Sequence, residues 1–521
     1  MPFLKINPDH KTNQRLLNMA LAFLVAIGIS LRFISLDYKV FWGDEVRTFT
    51  RIAGYPKEAL IAEVYNNQIM TAEELSRYLV PEQPVADTWK ALLTRPEHPP
   101  LYYLSARYWT DFWQRWFPFS IAMPRSLSAV ISLLVLPGAY FLALELFNSP
   151  VIAKLSLLLI AFSPVQILYA QEARQYSLWT AMVLLSSLAL LRALRRTTPL
   201  SWTWYTLTLI GGIYSHLLFG LSILAQGLYT LITTPKRLGI WIGSVAIAIL
   251  TFTPWLRVSI MNAYRLQNMA VEVQKNSSAG ELLDKWFRNI NLVLLNVNLA
   301  SYNFILVGIV VYALYVFCRK APQPGKRFLL LSLGLTSLTL MLIDLWKGGT
   351  RSTRIRYMLP GSTMLQLILV YVAVYKTQFT KTFAQKLTCG LIVVLWVATI
   401  WAGTAAAIAP VSWNKSLERS VYYLETAKYL STQPEPPLVI TDEYYVDLLI
   451  LNHHLSPETK LLPVGNPETL ELTDDLRSQI FLFSPSDKLR ETVNEQLGGD
   501  QKVVVDHGRT GKLWQLETAE L

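Results

Sequence analysis

Five short polar segments interrupt an otherwise apolar chain, and each holds residue types that can transfer protons or bind anions. The first segment follows the N-terminal apolar block and contains the acidic pair Asp44-Glu45. Carboxylates beside a bilayer are costly to desolvate unless they have a partner or a task. The pair therefore indicates either a proton-transfer site or a structural role, in which Asp44 would cap the N-terminus of a helix.

The second segment places Glu97 and His98 directly before Pro99 and Pro100. The prolines fix an extended chain, so the acidic residue and the histidine are expected at a rigid turn. A histidine with neighbouring carboxylates can hold a divalent cation. A capping turn with a solvated histidine explains the same residues equally well.

The third and fourth segments lie where pairs of apolar blocks meet. Glu172 and Arg174 fall on a tight turn, where they can pair with each other or present a carboxylate and a guanidinium to an anionic ligand. His216 separates two later apolar blocks. A single histidine in such a place is more often a satisfied polar residue than a ligand.

The fifth segment carries three arginines, Arg351, Arg354 and Arg356, followed by Tyr357. Binding of a phosphate at the membrane surface is one explanation for such a cluster. A loop that is solvated or that anchors lipid phosphates is the alternative. Together, the five segments indicate a site for an amphipathic, phosphate-bearing molecule whose tail stays in the lipid.

The composition indicates that the elements carrying these segments are transmembrane helices. Of the 521 residues, 52% are hydrophobic and 16% are charged, with a mean hydropathy of +0.32, whereas soluble chains are roughly a quarter charged. The apolar blocks have about the 17–25 residues that cross a bilayer, and they predict about eleven transmembrane helices. A soluble globule and a disordered chain are excluded. The net charge of +11 does not indicate nucleic-acid binding, since the basic residues cluster in short loops.

The basic loops also predict the orientation of the chain in the membrane. By the positive-inside rule, the N-terminus and loops such as Arg195-Arg196 and Lys236-Arg237 face the cytoplasm. All five polar segments then lie on the outer side of the membrane. The aromatic stretch Pro99–Phe117 contains charged residues, so we predict an interfacial helix there rather than a span.

The C-terminal part of the chain differs in composition from the rest. From Val411 onward it has 18 acidic and 10 basic residues. We predict a transmembrane catalytic domain at residues 1–410, with a large first outer loop at 35–126, and a small soluble extracytoplasmic α/β domain at residues 411–521. The tail pattern predicts strands at Leu438–Thr441, Ile480–Ser484 and Lys502–Val505, and a helix at Ser486–Leu497 with Ser486 as its N-cap.

The chain resembles the GT-C superfamily of membrane glycosyltransferases, and within it the bacterial glycosyltransferase family 39-like members. These are related to protein mannosyltransferases and to the lipid A aminoarabinose transferase. The resemblance covers roughly Leu16 to Pro360 and depends on the order of its elements rather than on any single one. The elements are Asp44-Glu45, His98–Tyr103, Gln171–Tyr176, His216 and Arg356-Tyr357 with Pro360.

The resemblance implies a glycosyltransferase of cell-envelope glycosylation. Its donor would be a polyprenyl-phosphate-linked sugar, used on the outer face of the membrane with inversion at the anomeric carbon. Its acceptor, a lipid, glycan or protein hydroxyl, is left open. Asp44 would be the catalytic base, Glu45 would support it, and Glu172 would match a further acidic position of the site.

The resemblance also implies residues for the donor phosphate and for a divalent metal ion of unknown identity. The residues expected to steady the departing phosphate are Arg174, Arg351, Arg354, Arg356 and Tyr357. His98 matches a metal-ligand position, with Glu97 adjacent and His216 as a second ligand. No organic cofactor and no nucleic-acid partner are expected.

Two functions from other classes compete with sugar transfer. A transporter or flippase of a lipid-linked saccharide would share a polar pocket at membrane level, but it should carry ionisable residues or broken helices at mid-membrane. The acidic residues closest to spans, Glu145 and Asp344, both lie near span ends. A scaffold whose tail recruits envelope proteins would leave the cluster of Asp44, His98 and Glu172 unexplained.

Overall fold

The structure, a computed structural model, describes residues 10–262, 277–377, 383–472 and 479–517. It divides into two compact units. The membrane unit comprises Met1–Leu36, Pro96–Tyr102 and Arg125–Ile408, and the loop-tail unit comprises Asp37–Arg95, Tyr103–Pro124 and Ala409–Leu521. Most of the predicted first outer loop therefore falls in the same unit as the predicted tail. The division into two domains at residue 410 stays a prediction.

Helices form most of the described chain. In chain order they are α1 (His10–Ser30), α2 (Gly43–Ala53), α3 (Lys57–Val64), α4 (Ala72–Ser76), α5 (Val85–Thr94), α6 (Leu101–Trp113), α7 (Ala122–Ser132), α8 (Val135–Phe147), α9 (Pro150–Phe162), α10 (Pro164–Ala170), α11 (Tyr176–Arg196), α12 (Pro199–Ser215), α13 (Phe219–Thr233), α14 (Leu238–Met261), α15 (Ala279–Leu295), α16 (Asn303–Lys320), α17 (Gln323–Leu333), α18 (Thr339–Lys347), α19 (Ile355–Thr377), α20 (Phe383–Ile408), α21 (Leu417–Ser431), α22 (Tyr445–Asn452) and α23 (Asp487–Leu497).

The chain is an integral membrane protein with several spans. Seven helical stretches among the described residues are long and apolar enough to cross a bilayer. They are Ala122–Phe147, Tyr176–Arg196, Pro235–Met261, Ala300–Lys320, Gln323–Lys347, Ile355–Thr377 and Gln385–Ile408. An eighth span is formed if α9 and α10, which meet at a bend of 55°, count as one broken span. Gln14–Ser30 and Phe219–Thr233 are shorter apolar helices. The polytopic helical fold is confirmed, and the number of eleven spans stays a prediction.

Two of the seven long apolar stretches are largely buried inside the membrane unit. The apolar window of α19 is 78% buried and that of α11 is 67% buried, against 22% for the α14 stretch. A polar segment lies at the start of each helix, since α11 begins at Tyr176, just after Arg174, and α19 begins at Ile355, just before Arg356. The third and fifth polar segments therefore adjoin two largely buried helices of this unit.

The loop-tail unit is built on a six-stranded mixed sheet. Its strands are β1 (Met70–Thr71), β2 (Leu438–Thr441), β3 (Lys460–Pro463), β4 (Ile480–Phe483), β5 (Asp500–Asp506) and β6 (Lys512–Glu517), in the spatial order β1-β3-β2-β4-β6-β5. The central pairs of β2 with β3 and β4 are parallel, and the outer pairs are antiparallel. The side-chain hydroxyl of Ser486 caps α23 by accepting the Leu489 N–H. The predicted tail strands and tail helix are confirmed.

The first outer loop contributes directly to this unit. Strand β1 pairs with β3, with Met70 opposite Leu461. Helix α2 packs against α22, and a Cβ atom added at Gly43 would lie 3.1 Å from Cγ1 of Val446. A glycine lets the two helices approach closely at this point. The helix that carries the acidic pair is therefore positioned by tail residues.

Candidate active site

The acidic pair lies in the first turn of α2. Trp42 is the N-cap residue and Gly43 is the first helical residue, so the alternative that Asp44 caps the helix is wrong. Both carboxylates instead lie where the positive end of the helix dipole stabilises negative charge. Residue Asp44 is 9% exposed, and its Oδ1 accepts a hydrogen bond of 3.2 Å from Nη1 of Arg47, whose side chain is 41% exposed.

Glu45 is held by a lysine from the C-terminal part of the chain. The Lys415 Nζ atom lies 3.0 Å from Oε2 of Glu45, and the two side chains are 1% and 0% exposed. The same ammonium group donates a bond of 2.8 Å to the carbonyl oxygen of Val40. A buried carboxylate is strongly disfavoured without a counter-charge, and the ammonium group of Lys415 supplies that counter-charge to Glu45.

The second and third polar segments meet inside the membrane unit. An Arg174 guanidinium nitrogen, Nη2, lies 3.1 Å from Nε2 of His98, and the carboxamide nitrogen of Gln175 lies 3.2 Å from Nδ1 of the same ring. Since a guanidinium can only donate, Nε2 of His98 accepts its bond. His98 therefore orients Arg174, which is 2% exposed, and the neighbouring Glu172 is fully buried.

His216 lies at the centre of an aromatic cluster. Its ring stacks on that of Trp179, with centroids 4.2 Å apart and an angle of 12° between the planes. The rings of His98, Tyr176 and Tyr357 surround it, each with its centroid 6.3 Å from that of His216. The second, third, fourth and fifth polar segments are thus brought together around one buried imidazole.

Two arginines bring positive charge to this cluster. The guanidinium carbon of Arg174 lies 5.7 Å from the ring centroid of Tyr176, and that of Arg356 lies 5.5 Å from the centroid of Tyr357. Both guanidinium groups are charged neighbours of His216. The His216 Nδ1 accepts the Leu218 N–H at 3.1 Å, while its Nε2 is buried and makes no hydrogen bond within the described residues.

The remaining arginines lie on a turn that precedes α19. A carboxylate oxygen of Asp344, Oδ2, accepts bonds from the backbone N–H and the hydroxyl of Ser352, at 2.6 and 2.7 Å. Helix α15 fixes the same turn through Trp286, whose indole N–H donates to the Ser352 hydroxyl at 2.9 Å. This turn carries Arg351 and Arg354, and the described contacts do not bring either of them to His216.

The residues expected to hold a metal ion show no metal-binding group in the described part of the chain. Both ring nitrogens of His98 face side chains of the protein, and Nε2 is committed to Arg174. Among the described residues, no group of three or more His, Cys, Asp and Glu side chains could hold a metal ion. The donor set around His98, Glu97 and His216 therefore does not fit a divalent cation, because two arginines take the place of acidic ligands.

Two residues of these clusters, Trp179 and Lys415, were not singled out from the sequence. Trp179 and Tyr176 form walls around His216, and their one-turn spacing at the start of an apolar helix could have indicated a shared face. Lys415 gave no such signal. It is one of ten basic residues in an acidic tail, and its partner lies 370 positions earlier in the chain.

The comparison with solved structures decides the fold. ArnT from Cupriavidus metallidurans bound to undecaprenyl phosphate matches with a TM-score of 0.55 and 13% sequence identity, over 95% of this chain and 97% of that chain. Its apo form matches with a TM-score of 0.54 and 13% identity, over 96% and 98%. The chain has the GT-C fold. The predicted fold is confirmed.

A more distant solved structure also matches this chain, whereas family models and curated proteins do not. The Archaeoglobus fulgidus oligosaccharyltransferase in complex with Zn and sulfate matches with a TM-score of 0.44 and 12% identity, over 95% of this chain and 73% of that chain. A likeness at that level supports no conclusion about this chain. No family model matches its sequence, and no curated protein matches it.

Proposed function

We propose that the chain is a glycosyltransferase that moves a sugar from a polyprenyl-phosphate donor to an acceptor hydroxyl, with inversion. The reaction would take place on the outer face of a bacterial inner membrane, with the N-terminus in the cytoplasm. The observation that carries the proposal is the pair of arginines, Arg174 and Arg356, beside the buried, aromatic-walled His216. Such a cluster suits one phosphate joined to a sugar.

The arginine cluster would bind the donor phosphate and stabilise it as it leaves. A phosphate that departs from the anomeric carbon gains negative charge, and fixed guanidinium groups in a buried site stabilise that charge without reorganisation. Since His98 accepts a bond from Arg174, the guanidinium is already oriented before the donor arrives. Tyr357 and Tyr176 would provide apolar faces beside the sugar. Arg351 and Arg354 remain proposed phosphate ligands from the neighbouring turn.

Asp44 would be the general base. Its carboxylate would take the proton of the acceptor hydroxyl while the hydroxyl oxygen forms a bond to the anomeric carbon. The bond between that carbon and the phosphate oxygen breaks, and its electron pair leaves with the polyprenyl phosphate. Glu45 would support Asp44 through the helix turn that Lys415 holds in place. The buried carboxylate of Glu172 would balance the charge of the arginines.

The class of donor is proposed from the fold likeness to ArnT, whose structure holds undecaprenyl phosphate. A polyprenyl chain suits an integral membrane protein, because the donor stays in the lipid while its phosphate reaches a polar site. The acceptor is proposed only as a hydroxyl of a lipid, a glycan or a protein. No step of this mechanism is assigned to a metal ion.

A transfer assay in vesicles would test the proposal. The purified full-length protein is reconstituted with a polyprenyl-phosphate-linked sugar, and the release of free polyprenyl phosphate is followed by ³¹P NMR in the presence of candidate acceptors. Protein-dependent release, with a product of inverted anomeric configuration, is expected. Movement of the intact donor between leaflets without release would instead support a flippase and contradict sugar transfer.

A further inference from the structure

The membrane unit contains an apolar cavity that the proposed reaction does not use. It has a volume of about 470 Å³ and lies mainly between α16, α19 and α20. Its lining includes Leu159, Ile305, Gly308, Leu369, Leu391 and Leu395. Ile305 and Leu391 are exposed on the outside of the helical unit. A lipid chain can therefore enter the cavity from the surrounding bilayer.

A second, polar cavity adjoins the apolar one. It has a volume of about 760 Å³ and shares Tyr312, Lys376 and Thr388 with the lining of the first. Its further lining residues include Arg319 and Lys320. The two cavities together form one site. The first cavity is its apolar body, and the second, which is lined by Arg319, Lys320 and Lys376, is its basic mouth.

The basic mouth is held in shape by tyrosines. The Lys376 Nζ donates a bond of 2.7 Å to the hydroxyl of Tyr312 and lies 5.1 Å from the centroid of its ring. The guanidinium carbon of Arg319 lies 5.9 Å from the ring centroid of Tyr315. These contacts hold two cations at the rim where the apolar cavity ends.

Within the described parts of the chain, the positive charge at this mouth has no protein counter-charge. Between Asp284 and Glu418 the sequence has a single acidic residue, Asp344, which bonds to Ser352. Among the described residues, no carboxylate forms an ion pair with any of the three mouth cations. An anion from outside the chain would supply the negative charge that these three cations lack.

The mouth is separate from the candidate active site. Lys376 lies in the last turn of α19, whereas Arg356 lies in its first turn. They are twenty positions apart in the helix, which corresponds to about 30 Å along its axis. An anion bound at the mouth would therefore not be the phosphate that Arg356 is proposed to bind.

We propose that this site binds an anionic membrane phospholipid from the leaflet opposite the candidate active site. One acyl chain would fill the apolar cavity, and the lipid phosphate would contact Lys376, Arg319 and Lys320. Basic pockets between transmembrane helices bind anionic head groups in this way. A zwitterionic lipid brings its own positive group to the mouth and binds more weakly.

Lipid retention by the purified full-length protein tests the proposal without any sugar donor, so its outcome is independent of the proposed function. The delipidated protein is titrated with phosphatidylglycerol or phosphatidylcholine in mixed micelles, and bound lipid is counted by native mass spectrometry. Saturable retention of one phosphatidylglycerol is expected, with at least about tenfold weaker binding of phosphatidylcholine. Equal retention of the two lipids, or no retention, would overturn the proposal.

A pair of matched triple variants locates the phosphate of the bound lipid. The triple variant R319Q/K320Q/K376Q should bind phosphatidylglycerol on the order of 100-fold more weakly. The matched variant R196Q/K236Q/R237Q, which removes three basic residues of other loops, should bind it normally. A general effect of positive charge would weaken both equally and would contradict the proposed site.

Filling the cavity tests the acyl-chain position. A Cβ atom added at Gly308 or at Gly243 meets no atom within 4 Å, but only Gly308 lines the cavity. G308F should therefore reduce phosphatidylglycerol retention, and G243F should not. Retention of a polyprenyl phosphate in place of phosphatidylglycerol, lost in G308F, would assign the cavity to the donor tail and overturn the proposal.

Discussion

The ammonium group of Lys415 lies 3.0 Å from the carboxylate of Glu45, and both side chains are withdrawn from solvent. The ion pair joins residues that are 370 positions apart in the chain. It makes the C-terminal part of the chain a structural requirement of the helix that carries Asp44. The tail is therefore more than an appended soluble module.

Removing the lysine should destabilise the loop-tail unit. K415M leaves Glu45 buried without its counter-charge, which costs about 3–5 kcal/mol. Hydrogen exchange of the α2 amides, followed by mass spectrometry, would measure the local free energy of opening. K428M removes an exposed lysine of the neighbouring α21 and should leave this exchange unchanged.

The double variant E45Q/K415M shows whether K415M destabilises the protein by breaking the ion pair or by disturbing side-chain packing. It removes both charges, so it should recover part of the stability that K415M loses. If the changes in the free energy of opening caused by E45Q and by K415M were additive in the double variant, the two residues would not be energetically coupled, and the ion pair would be contradicted.

Loss of Arg356 should weaken donor binding. A hydrogen bond to a charged group contributes roughly 1.5–3 kcal/mol, so R356Q should raise the dissociation constant of the polyprenyl-phosphate sugar about tenfold or more. Isothermal titration in detergent would measure this constant. R257Q removes an exposed arginine of α14 and is the matched control. Equal affinity of R356Q and the wild type would remove this arginine from the phosphate site.

The role of His98 can be tested by a conservative replacement. A glutamine carboxamide can accept a bond from Arg174, so H98Q should keep more transfer activity than H98L. If His98 acts by orienting Arg174, a chelator such as EDTA should leave the wild-type rate unchanged. Loss of activity with EDTA that a divalent ion restores would show that a metal site exists after all.

The stability of the loop-tail unit should depend on the ionisation of Glu443. Burial raises the pKa of this carboxyl, and the negative charge of Asp447 adds to the shift, while Arg419 opposes it. Because the folded-state pKa lies above the unfolded value, the carboxylate costs stability above the folded pKa and costs nothing below the unfolded one.

The variant E443Q measures that cost. It should raise the melting temperature at pH 8, and the gain over the wild type should shrink as the pH falls towards 4. Thermal unfolding at several pH values would follow both proteins. A gain that does not change with pH would show that the substitution acts through packing instead of charge.

The features that depend on local sequence patterns, namely the helical membrane fold and the tail strands, could be predicted from the sequence. Apolar blocks of bilayer length predicted the polytopic helical fold, and tail strands such as Leu438–Thr441 are found where the pattern placed them. The clustering of His98 and Arg174 with His216 was also foreseeable, because each lies in a polar segment beside an apolar block. Patterns of this kind depend on neighbours in the chain.

Contacts between distant segments could not be predicted in the same way. Nothing in the local sequence indicates that Lys415 pairs with Glu45 or that Gly43 meets Val446. The expected metal site at His98 was not supported for a related reason. A histidine near carboxylates is compatible with several partners, and only the three-dimensional arrangement reveals that an arginine bonds to its nitrogen.

The transfer rate of D44N tests the central claim most directly. The substitution keeps the shape of the side chain and removes its ability to take a proton, so the rate of sugar transfer from a polyprenyl-phosphate donor should fall at least about 100-fold. Donor affinity should stay at the wild-type value, and E73Q, which alters an exposed carboxylate of the same loop, should transfer normally. Transfer by D44N at the wild-type rate would contradict the assignment of Asp44 as the catalytic base.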